Sequence, residues 1–288
     1  MLASDRQLPV SGGPEKRAYV RDTFAAIAPT YDRLNRIISF RFDQGWRRYA
    51  VARLGWEREP EGIYLDLCAG TLDFAAALAR RPGFRGRVAA ADFARPMLEQ
   101  GRDKSDRVDP IAADVLDLPF AAEQFDGAMI GWGVRNLIDL DSGLAEAARV
   151  LKPGARLVIL EMAVPEQPLL RSGFHLYFRR IMPWIGRLIS KHTTAYSWLP
   201  ESARVFPRPA ELARRLSAQG FEDVTYKLFL GGVCAMHVGT KSVSGTRTGV
   251  SGERGCHPEL STGCHPERSE GATAFRITTP QRGRSSQG

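Results

Sequence analysis

Three aspartates stand at the ends of three apolar runs, a pattern typical of a nucleoside-binding site. Asp66, Asp92 and Asp114 each come where a predicted strand ends. The carboxyl ends of parallel strands meet at one edge of a sheet, so we expect the three carboxylates to lie close together. Asp92 also follows the Gly70–Thr71 turn by about 20 residues, the spacing at which an acidic side chain meets a ribose hydroxyl pair. One acid at a strand end is usually a helix cap or a solvated loop residue, but three in register favour a nucleoside site.

The turn after the first of these aspartates contains a single glycine. Residues 66–74 read DLCAGTLDF, whereas the dinucleotide-binding fingerprint has three glycines for a tight turn and close approach of a pyrophosphate. A ligand with an adenine and a ribose but no phosphates needs less backbone clearance. S-adenosylmethionine is such a ligand, and Thr71 can offer its hydroxyl and backbone amide to the amino-acid tail. The missing glycines correspondingly weaken the alternative of an NAD-dependent oxidoreductase.

Apolar strands alternate with helical patterns along the chain, and this alternation must position the aspartates at one edge. The final two strands are joined by Gly231-Gly232, a hairpin signal. We therefore predict an α/β, Rossmann-like fold with a mostly parallel seven-stranded sheet, an antiparallel edge strand and helices on both faces. The predicted strands are residues 63–67, 87–92, 109–113, 125–131, 156–161, 223–229 and 232–239. The predicted helices are residues 15–28, ended by Pro29, then 43–54, 72–79, 96–104, 141–151, 168–190 and 210–219.

Composition limits the cellular context and the kinds of partner. The 288 residues carry 40 basic and 32 acidic side chains, a net charge of +8, but the basic residues are scattered and no nucleic-acid-binding motif occurs. No run has the roughly 18 apolar residues of a membrane span. The first residues also lack the apolar block of a signal peptide. We expect a cytoplasmic protein that binds no nucleic acid.

Composition also divides the chain. We expect residues 1–14 to be flexible, residues 15–241 to form the domain with a helical lid insertion at about 165–205, and residues 242–288 to form a disordered low-complexity tail. The tail repeats GCHPE, which is either a Cys/His metal clip or part of a non-functional extension. Because adjacent Cys-His pairs lack the spacing of structural zinc sites, we expect no metal.

Segments spread over nearly all of residues 20–241 carry a specific combination of motifs. In chain order they are FAAIAPTYDRLNRIISFRFDQGWRR, LDLCAGTLDFA, DVLDLPFAAEQFD, GVRN, ARVLKPGARLVILEM, AYSWLPESARVFP and GGVCAMHVGTK. Loops of the RVLKPG type occur in many methyltransferases, whereas YDRLN, G-x-R-N and YSWLPES together are specific. With this combination the chain resembles the ubiquinone/menaquinone biosynthesis C-methyltransferase family, within the class I S-adenosylmethionine-dependent methyltransferases.

The resemblance implies that S-adenosylmethionine is the cofactor. It implies contacts at Thr71, Asp92 and the Asp114–Val115 pair, with a backbone contact at Gly131. Together with the residues of the first strand and turn, the predicted cofactor-binding set is Asp66, Gly70, Thr71, Asp92, Asp114, Val115 and Gly131.

The chain departs from the family at three positions where glycine is usual: Leu72, Ala155 and Arg41. Leu72 matters most because it lies in the cofactor turn. If it is the first residue of the following helix, its backbone angles are ordinary, and the effect of the leucine is to reduce the space for the ligand.

The reaction that the resemblance implies is methylation of a ring carbon on a reduced, polyprenylated quinol. A ring carbon attacks well only when an adjacent hydroxyl loses its proton, so the site must favour a phenolate, position the reactants and exclude water. We predict Arg135 and Asn136 as the catalytic pair because GWGVRN follows the fourth strand; arginine stays protonated and would act electrostatically or through water. In the alternative interpretation, Arg135 only pairs with an acid and Asn136 caps a helix. The candidates for the ring pocket are Tyr31, His192, Tyr196 and His237.

The segment 168–192 interrupts the strand pattern and combines apolar residues at helical spacing with basic side chains. A basic amphipathic helix can lie on an anionic membrane, and a prenylated substrate would give that contact a purpose. The alternative is a lid whose apolar face packs on the body. The two interpretations are compatible, and peripheral contact with the inner face of the membrane is one hypothesis for this segment.

Other functions stay open on the sequence. The chain could methylate another small molecule and share only the cofactor-binding half, although the segments at 24–48 and 195–207 argue against this. It could also be a methyltransferase-like accessory protein that has lost catalysis, with Leu72 as the supporting feature. The choice between a demethylmenaquinol and a ubiquinol precursor is open as well, since both share the reactive ring chemistry.

Overall fold

A seven-stranded sheet forms the centre of the fold. The computed structural model describes residues 8–10, 13–182 and 194–243. The strands are β1 (Ile63–Leu67), β2 (Arg87–Asp92), β3 (Val108–Ala112), β4 (Phe125–Gly131), β5 (Leu151–Met162), β6 (Phe221–Phe229) and β7 (Cys234–Lys241). Their order is β3-β2-β1-β4-β5-β7-β6, with β1 to β5 parallel and β7 antiparallel to both of its neighbours. The strand order reverses between β1 and β4, which is where open sheets bind ligands.

Helices cover both faces of the sheet. Over the described residues they are α1 (Gly13–Ile38), α2 (Phe42–Val51), α3 (Asp73–Ala79), α4 (Arg95–Gly101), α5 (Leu140–Val150), α6 (Pro168–Leu176), α7 (Thr194–Val205) and α8 (Pro209–Ala218). The predicted Rossmann-like α/β fold is therefore confirmed. The antiparallel pairing near one edge is also confirmed, with the reversed strand β7 one position in from that edge.

Side chains of the central strands point alternately to the two faces of the sheet, which divides the core into two layers. Tyr64 and Met129 pack with α2 and α3 on one face, while Leu65 and Ile130 pack with α5 and α8 on the other. All four side chains are buried, as expected for parallel strands that are covered on both faces. At the carboxyl edge of the sheet, Asp66 lies near the end of β1 and Asp92 lies at the end of β2.

Helix α1 continues past Pro29, where we predicted its end. A proline inside a helix removes a backbone hydrogen bond and costs about 3 kcal/mol. The residues after Pro29 offset this cost, because Leu34 is buried against Phe174 and Phe178. Tertiary packing outweighs the local signal, and α1 becomes a helix of 26 residues.

The predicted helix at 168–190 is described as far as Met182. Helix α6 continues into a π-helical turn at Tyr177–Ile181, and residues 183–193 lie outside the described part of the chain, as do residues 244–288 of the predicted tail. Phe174 packs on the body, whereas Leu169 and Leu176 are exposed. Within the described ranges, no helix has both the length and the apolar character needed to cross a bilayer.

Candidate active site

A small cavity lies at the carboxyl ends of β1, β2 and β4, next to α1. Its volume is about 40 Å³. Gly70, Asp92 and Gly131 of the predicted cofactor set border it, together with Asn136 and Tyr31. The other bordering residues are Val20, Phe24, Cys68, Phe93, Ala94, Met97, Trp132, Gly133 and Leu137.

The Asp92 carboxylate joins the turn after β1 to the turn after β2. Its Oδ2 accepts a hydrogen bond from the Gly70 backbone N–H (2.9 Å), and its Oδ1 accepts one from the Ala94 N–H (2.8 Å). Burial raises the pKa of this carboxyl above its usual range. The carboxylate has acceptor capacity beyond these hydrogen bonds, so Asp92 can also receive a hydroxyl of a ribose.

The backbone of the cofactor turn differs from our expectation at Leu72. Gly70 and Leu72 both have left-handed angles, with φ of 53° and 65°. Leu72 precedes α3 as its N-cap, so it carries a dihedral strain that glycine would relieve. Its side chain is fully buried against α4, where a Cβ on Gly101 would stand 2.8 Å from Leu72 Cγ. Packing therefore holds a leucine in a conformation that favours glycine.

Asp66 supports the turn and does not border the cavity. Its Oδ2 accepts a hydrogen bond from the Ala75 N–H (2.9 Å) in the first turn of α3. Burial raises its pKa to about 8, and the hydrogen bond from Ala75 opposes that shift. Asp66 thus holds the start of α3, and its predicted contact with the cofactor stays a prediction.

Helix α1 covers the remaining predicted cofactor residues. Arg17 Nη2 lies 2.6 Å from Asp114 Oδ2, and the Thr71 hydroxyl donates a hydrogen bond to Asp32. Val115 is buried in the core beneath. Thr71, Asp114 and Val115 do not border the small cavity as α1 lies here, and their contact with the cofactor stays a prediction.

Lys16 fastens α1 over this edge. Its buried ammonium donates to the carbonyls of Arg135 (3.2 Å) and Leu137 (2.7 Å). Burial, and secondly the charge of Arg135, lower the pKa of Lys16. Pockets that enclose organic ligands usually measure about 300 Å³ or more. A cavity of about 40 Å³ is therefore too small for a nucleoside while α1 lies in this position.

The chemical character of the residues at this edge suits S-adenosylmethionine. Asp92 offers acceptors to a ribose, and Phe93 and Met97 offer apolar surface to an adenine. Gly70 leaves space beside them, because a Cβ there would meet only Met97, at 3.4 Å.

A second cavity, of about 450 Å³, adjoins the small one. It lies between α1, α2, α6 and α7, and Phe24, Tyr31 and Trp132 border both cavities. Most of its wall is apolar, with Ile27, Leu34, Ile38, Trp46, Met162, Leu170, Phe174, Phe178, Met182, Leu199 and Val233. A cavity of this size and character suits a large hydrophobic substrate.

Arg135 borders the large cavity and is buried against β5. Its Nη1 donates to Glu161 Oε1 (2.5 Å) and to the Trp132 carbonyl (2.6 Å), and its backbone N–H donates to Glu161 Oε2 (3.1 Å). Its Nε–H is buried with no hydrogen-bond partner in the described part of the chain. The pairing with an acid is thus observed, and it leaves the Nε–H unused.

Asn136 borders the small cavity and does not cap a helix. The indole N–H of Trp198, on α7, donates to Asn136 Oδ1 (2.9 Å). The N-cap of α5 is Asp139, whose side chain accepts a hydrogen bond from the Ser142 N–H. Trp198 therefore orients the amide of Asn136 at the junction of α7 and the sheet edge.

A second ion pair borders the large cavity, and we did not predict it. Asp43 Oδ2 accepts from Arg47 Nη1 (2.5 Å), one turn along α2, and Asp43 Oδ1 accepts from Ser39 Oγ (2.7 Å). Arg47 also lies over Trp132, with its Cζ 4.7 Å from the ring centroid. The i,i+4 spacing was the available signal, but it is equally common on solvated helix faces. Glu161 had a clearer signal, because it ends a parallel strand at the same edge as the three aspartates.

The predicted ring-pocket residues have different outcomes. Tyr31 borders both cavities. His237 borders neither cavity, which corrects our prediction. Its Nε2 lies 2.9 Å from the Pro209 carbonyl oxygen, and its ring packs on Tyr226. Burial lowers the pKa of His237 to about 4. His192 lies outside the described residues, and only the backbone of Tyr196, in α7, is described.

Solved structures share this fold, among them one described as a methyltransferase. The chain is similar to an S-adenosylmethionine-dependent methyltransferase of Thermotoga maritima, described as a possible histamine N-methyltransferase, with a TM-score of 0.55 and 20% identity over 77% of this chain and 99% of that one. It is also similar to the [4+2]-cyclase SpnF, with a TM-score of 0.58 and 16% identity over 78% and 96% of the two chains. At these identities the likeness concerns the fold alone.

Proteins with assigned activities are more similar in sequence. A demethylmenaquinone methyltransferase of Desulfitobacterium hafniense is 38% identical over 235 residues, 80% of this chain and 92% of the relative. One of Staphylococcus epidermidis is 37% identical over 235 residues, 81% of this chain and 97% of the relative. The profile of the ubiE/COQ5 methyltransferase family matches residues 13–241, which include both cavities and the helices around them. On this similarity, the chain belongs to the ubiE/COQ5 methyltransferase family.

Proposed function

We propose that this protein transfers a methyl group from S-adenosylmethionine to a ring carbon of a demethylmenaquinol, a prenylated quinol. The apolar cavity of about 450 Å³ beside the cofactor edge carries the proposal, because a quinol with an isoprenoid tail needs an extended apolar site that meets the methyl donor. Relatives that are 38 and 37% identical and are named demethylmenaquinone methyltransferase support the same substrate.

When bound, S-adenosylmethionine supplies an electrophilic methyl group on a sulfonium. The residues of the chain position the ring and stabilise the charge that develops on its oxygen. Arg135 has a spare, buried Nε–H and a positive charge at the wall of the substrate cavity, so we assign it to the phenolate oxygen. Glu161 holds the guanidinium and the backbone of Arg135 at the same time, which fixes its orientation.

On the cofactor side we assign Asp92 to the ribose and Gly70 and Gly131 to backbone contacts. Thr71 and Asp114 become available to the cofactor only when their contacts with α1 open. The proposed cofactor site is thus completed by a movement of α1.

We also propose that the protein takes its prenylated substrate from the membrane surface. Five side chains that border the large cavity form an exposed apolar rim: Phe40, Phe42, Leu169, Leu170 and Leu230. Phe40 and Leu169 are the most exposed of them, at 70% and 84%. Exposed apolar surface around an apolar cavity suits shallow insertion into a bilayer, and the exposed Arg41 and Arg171 favour anionic lipid. The protein would then act at the inner face of the membrane.

Complementation tests the substrate. A bacterial strain that lacks its demethylmenaquinone methyltransferase should recover methylated menaquinone when it expresses this chain, as measured by mass spectrometry of the quinone pool. A pool that stays demethylated despite folded protein contradicts the proposal. In a host that makes ubiquinone, the same measurement shows whether a ubiquinol precursor is methylated instead.

Arg135→Ala should lower turnover by about 10²-fold or more, because the charge at the phenolate is lost. Arg204→Ala, at an exposed ion pair on α7, is the matched control and should leave turnover unchanged. Near-normal turnover of Arg135→Ala would remove its assignment. Calorimetry with S-adenosylmethionine separates the enzyme from a non-catalytic accessory protein, which would show no heat of binding.

A further inference from the structure

The proposed methyl transfer needs a group that takes the proton from the ring hydroxyl. Arg135 stays protonated at physiological pH and cannot accept it. We propose that Asp43 is this base, an assignment that rests on the proposed quinol substrate. Four properties of Asp43 carry the proposal: its place in the cavity wall, the lack of a better acceptor there, its hydrogen-bond partners and the chemistry of the step.

Asp43 borders the large cavity, and contacts with its neighbours link it to the residues at the boundary with the small cavity. Among the described residues that border the large cavity, the charged side chains are Asp43, Arg47 and Arg135, so Asp43 is the one carboxylate. Asp43 contacts Arg47, Arg47 lies over the Trp132 ring, and Trp132 also borders the small cavity. This chain of contacts connects the carboxylate to the boundary at which the ring must meet the methyl group.

The other titratable groups along this wall hold their protons. Burial raises the pKa of the Tyr31 and Tyr177 phenols and of the Cys234 thiol above their usual values. Groups with such pKa values are protonated at neutral pH and accept a proton poorly. Asp43 is therefore the acceptor that the described wall of the cavity offers.

The hydrogen-bond partners of Asp43 suit a reversible acceptor. Ser39 donates to one oxygen and Arg47 to the other, and both oxygens keep a lone pair. Arg47 supplies the counter-charge that a buried carboxylate requires. Arg47 also lies 3.5 Å from Asp73 of α3, so its charge stays paired while Asp43 carries a proton.

The proposed step balances without an oxidant or reductant. The O–H bond of the ring hydroxyl breaks, and its proton moves to an Asp43 oxygen. The electron pair that enters the ring forms the bond between the ring carbon and the methyl group, while the methyl–sulfur bond breaks and leaves its pair on sulfur. The ring carbon then loses its hydrogen as a proton to solvent, and Asp43 returns its own proton to the oxygen. One proton is released for each methyl group transferred.

Asp43→Asn tests the assignment, because asparagine keeps the shape of the side chain and removes the base. We expect kcat to fall by about 10²- to 10⁴-fold and the limb on which kcat rises with pH to disappear. Binding of S-adenosylmethionine, measured by calorimetry, should be unchanged, which also reports that the variant is folded. Asp22→Asn, at an exposed carboxylate of α1, is the matched control and should keep the original kcat and pH profile.

Two rescue measurements separate proton transfer from a structural role. A ring-halogenated quinol, whose hydroxyl ionises more readily, should restore turnover to Asp43→Asn while speeding the unchanged protein little. Added formate should restore turnover to Asp43→Ala by replacing the carboxylate. Full activity of Asp43→Asn overturns the assignment, and so does the failure of both rescues in variants that still bind S-adenosylmethionine. An unchanged protein that methylates no quinol would instead overturn the proposed function, and this assignment with it.

Discussion

At the scale of single residues, Leu72 combines two opposing contributions to stability. A left-handed backbone costs an L-residue about 1–2 kcal/mol. Removing a fully buried leucine side chain costs about 2–5 kcal/mol. Because the side-chain packing stabilises the fold by more than the backbone strain costs, the turn tolerates a leucine at φ 65°. The side chain borders neither cavity, so its effect on the cofactor is confined to the backbone of the turn.

At position 72, the glycine variant should be more stable than the alanine variant, the reverse of the usual order. Leu72→Gly loses the buried side chain but relieves the backbone, and we expect it to lower the free energy of unfolding by about 1–3 kcal/mol. Leu72→Ala keeps the strain and should be roughly 1 kcal/mol less stable than the glycine variant. Urea unfolding measures both, and an alanine variant more stable than the glycine variant would contradict the left-handed backbone.

His237 should make the fold sensitive to acid. Burial lowers its pKa to about 4, while the unfolded chain has a histidine pKa of about 6.5. Between these values the unfolded chain binds a proton that the folded chain does not, so stability falls as pH falls from about 6.5 to about 4. The loss across this window is on the order of 3 kcal/mol.

Removing the histidine should remove this part of the acid sensitivity. His237→Gln keeps a donor for the Pro209 carbonyl and does not titrate. We expect its Tm to fall less than that of the unchanged protein between pH 7.5 and 4.5, as measured by calorimetry. Equal falls in Tm would show that His237 is not buried in its neutral form.

At the scale of elements, α1 controls access to the cofactor edge. It places Arg17 on Asp114 and Asp32 on Thr71, and Lys16 bonds two carbonyls of the loop after β4. These contacts close the site to a volume of about 40 Å³. Helix α1, including Asp32 beyond its proline, thus forms part of the wall of the proposed cofactor site.

Loosening α1 should speed cofactor binding. Lys16→Met removes charged hydrogen bonds that hold the closed position, each worth about 1.5–3 kcal/mol. We expect the association rate constant for S-adenosylmethionine to rise by on the order of tenfold in stopped-flow tryptophan fluorescence. Arg21→Met, at an exposed pair on the same helix, should leave the rate unchanged. Slower or unchanged association with Lys16→Met would mean that the cofactor reaches its site without displacing α1.

At the scale of the whole molecule, the apolar rim and the two cavities form one path. The rim opens into the large cavity, and the large cavity meets the small one at Phe24, Tyr31 and Trp132. A prenylated quinol could therefore stay in contact with apolar surface from the bilayer to the methyl donor. The segments that build the rim come from the α1–α2 junction, from α6 and from the loop before β7.

Substitution of the rim should weaken membrane binding. Phe40→Ser combined with Leu169→Ser removes the two most exposed rim side chains, and we expect less protein to float with anionic vesicles in a density gradient. Val205→Ser combined with Leu228→Ser changes two exposed apolar side chains outside the cavity wall and serves as the control. Equal flotation of both variants would show that the rim does not contact the membrane.

Local and periodic signals were enough to predict the sheet, its edge and the cofactor class. Buried strands such as 63–67 and 125–131 show themselves as apolar runs, and parallel connections then bring the ends of those strands together. Gly70 and Asp92 were predicted from these signals and Gly131 from the family resemblance, and all three border the small cavity. Backbone direction and side-chain alternation depend on residues that are neighbours in the chain, so they can be predicted from a single sequence.

Tertiary structure decided how α1 closes the site and which charges share the cavity walls. Lys16 meets the Arg135 carbonyl across 119 residues, and Glu161 meets the Arg135 guanidinium across 26. Packing after Pro29 overrode a local stop signal, and packing around Leu72 imposed a left-handed backbone. Such contacts depend on interactions between residues that are far apart in the chain, so no local pattern predicts them. For the same reason Asp43 became a candidate base only when α2 was seen in the wall of the substrate cavity.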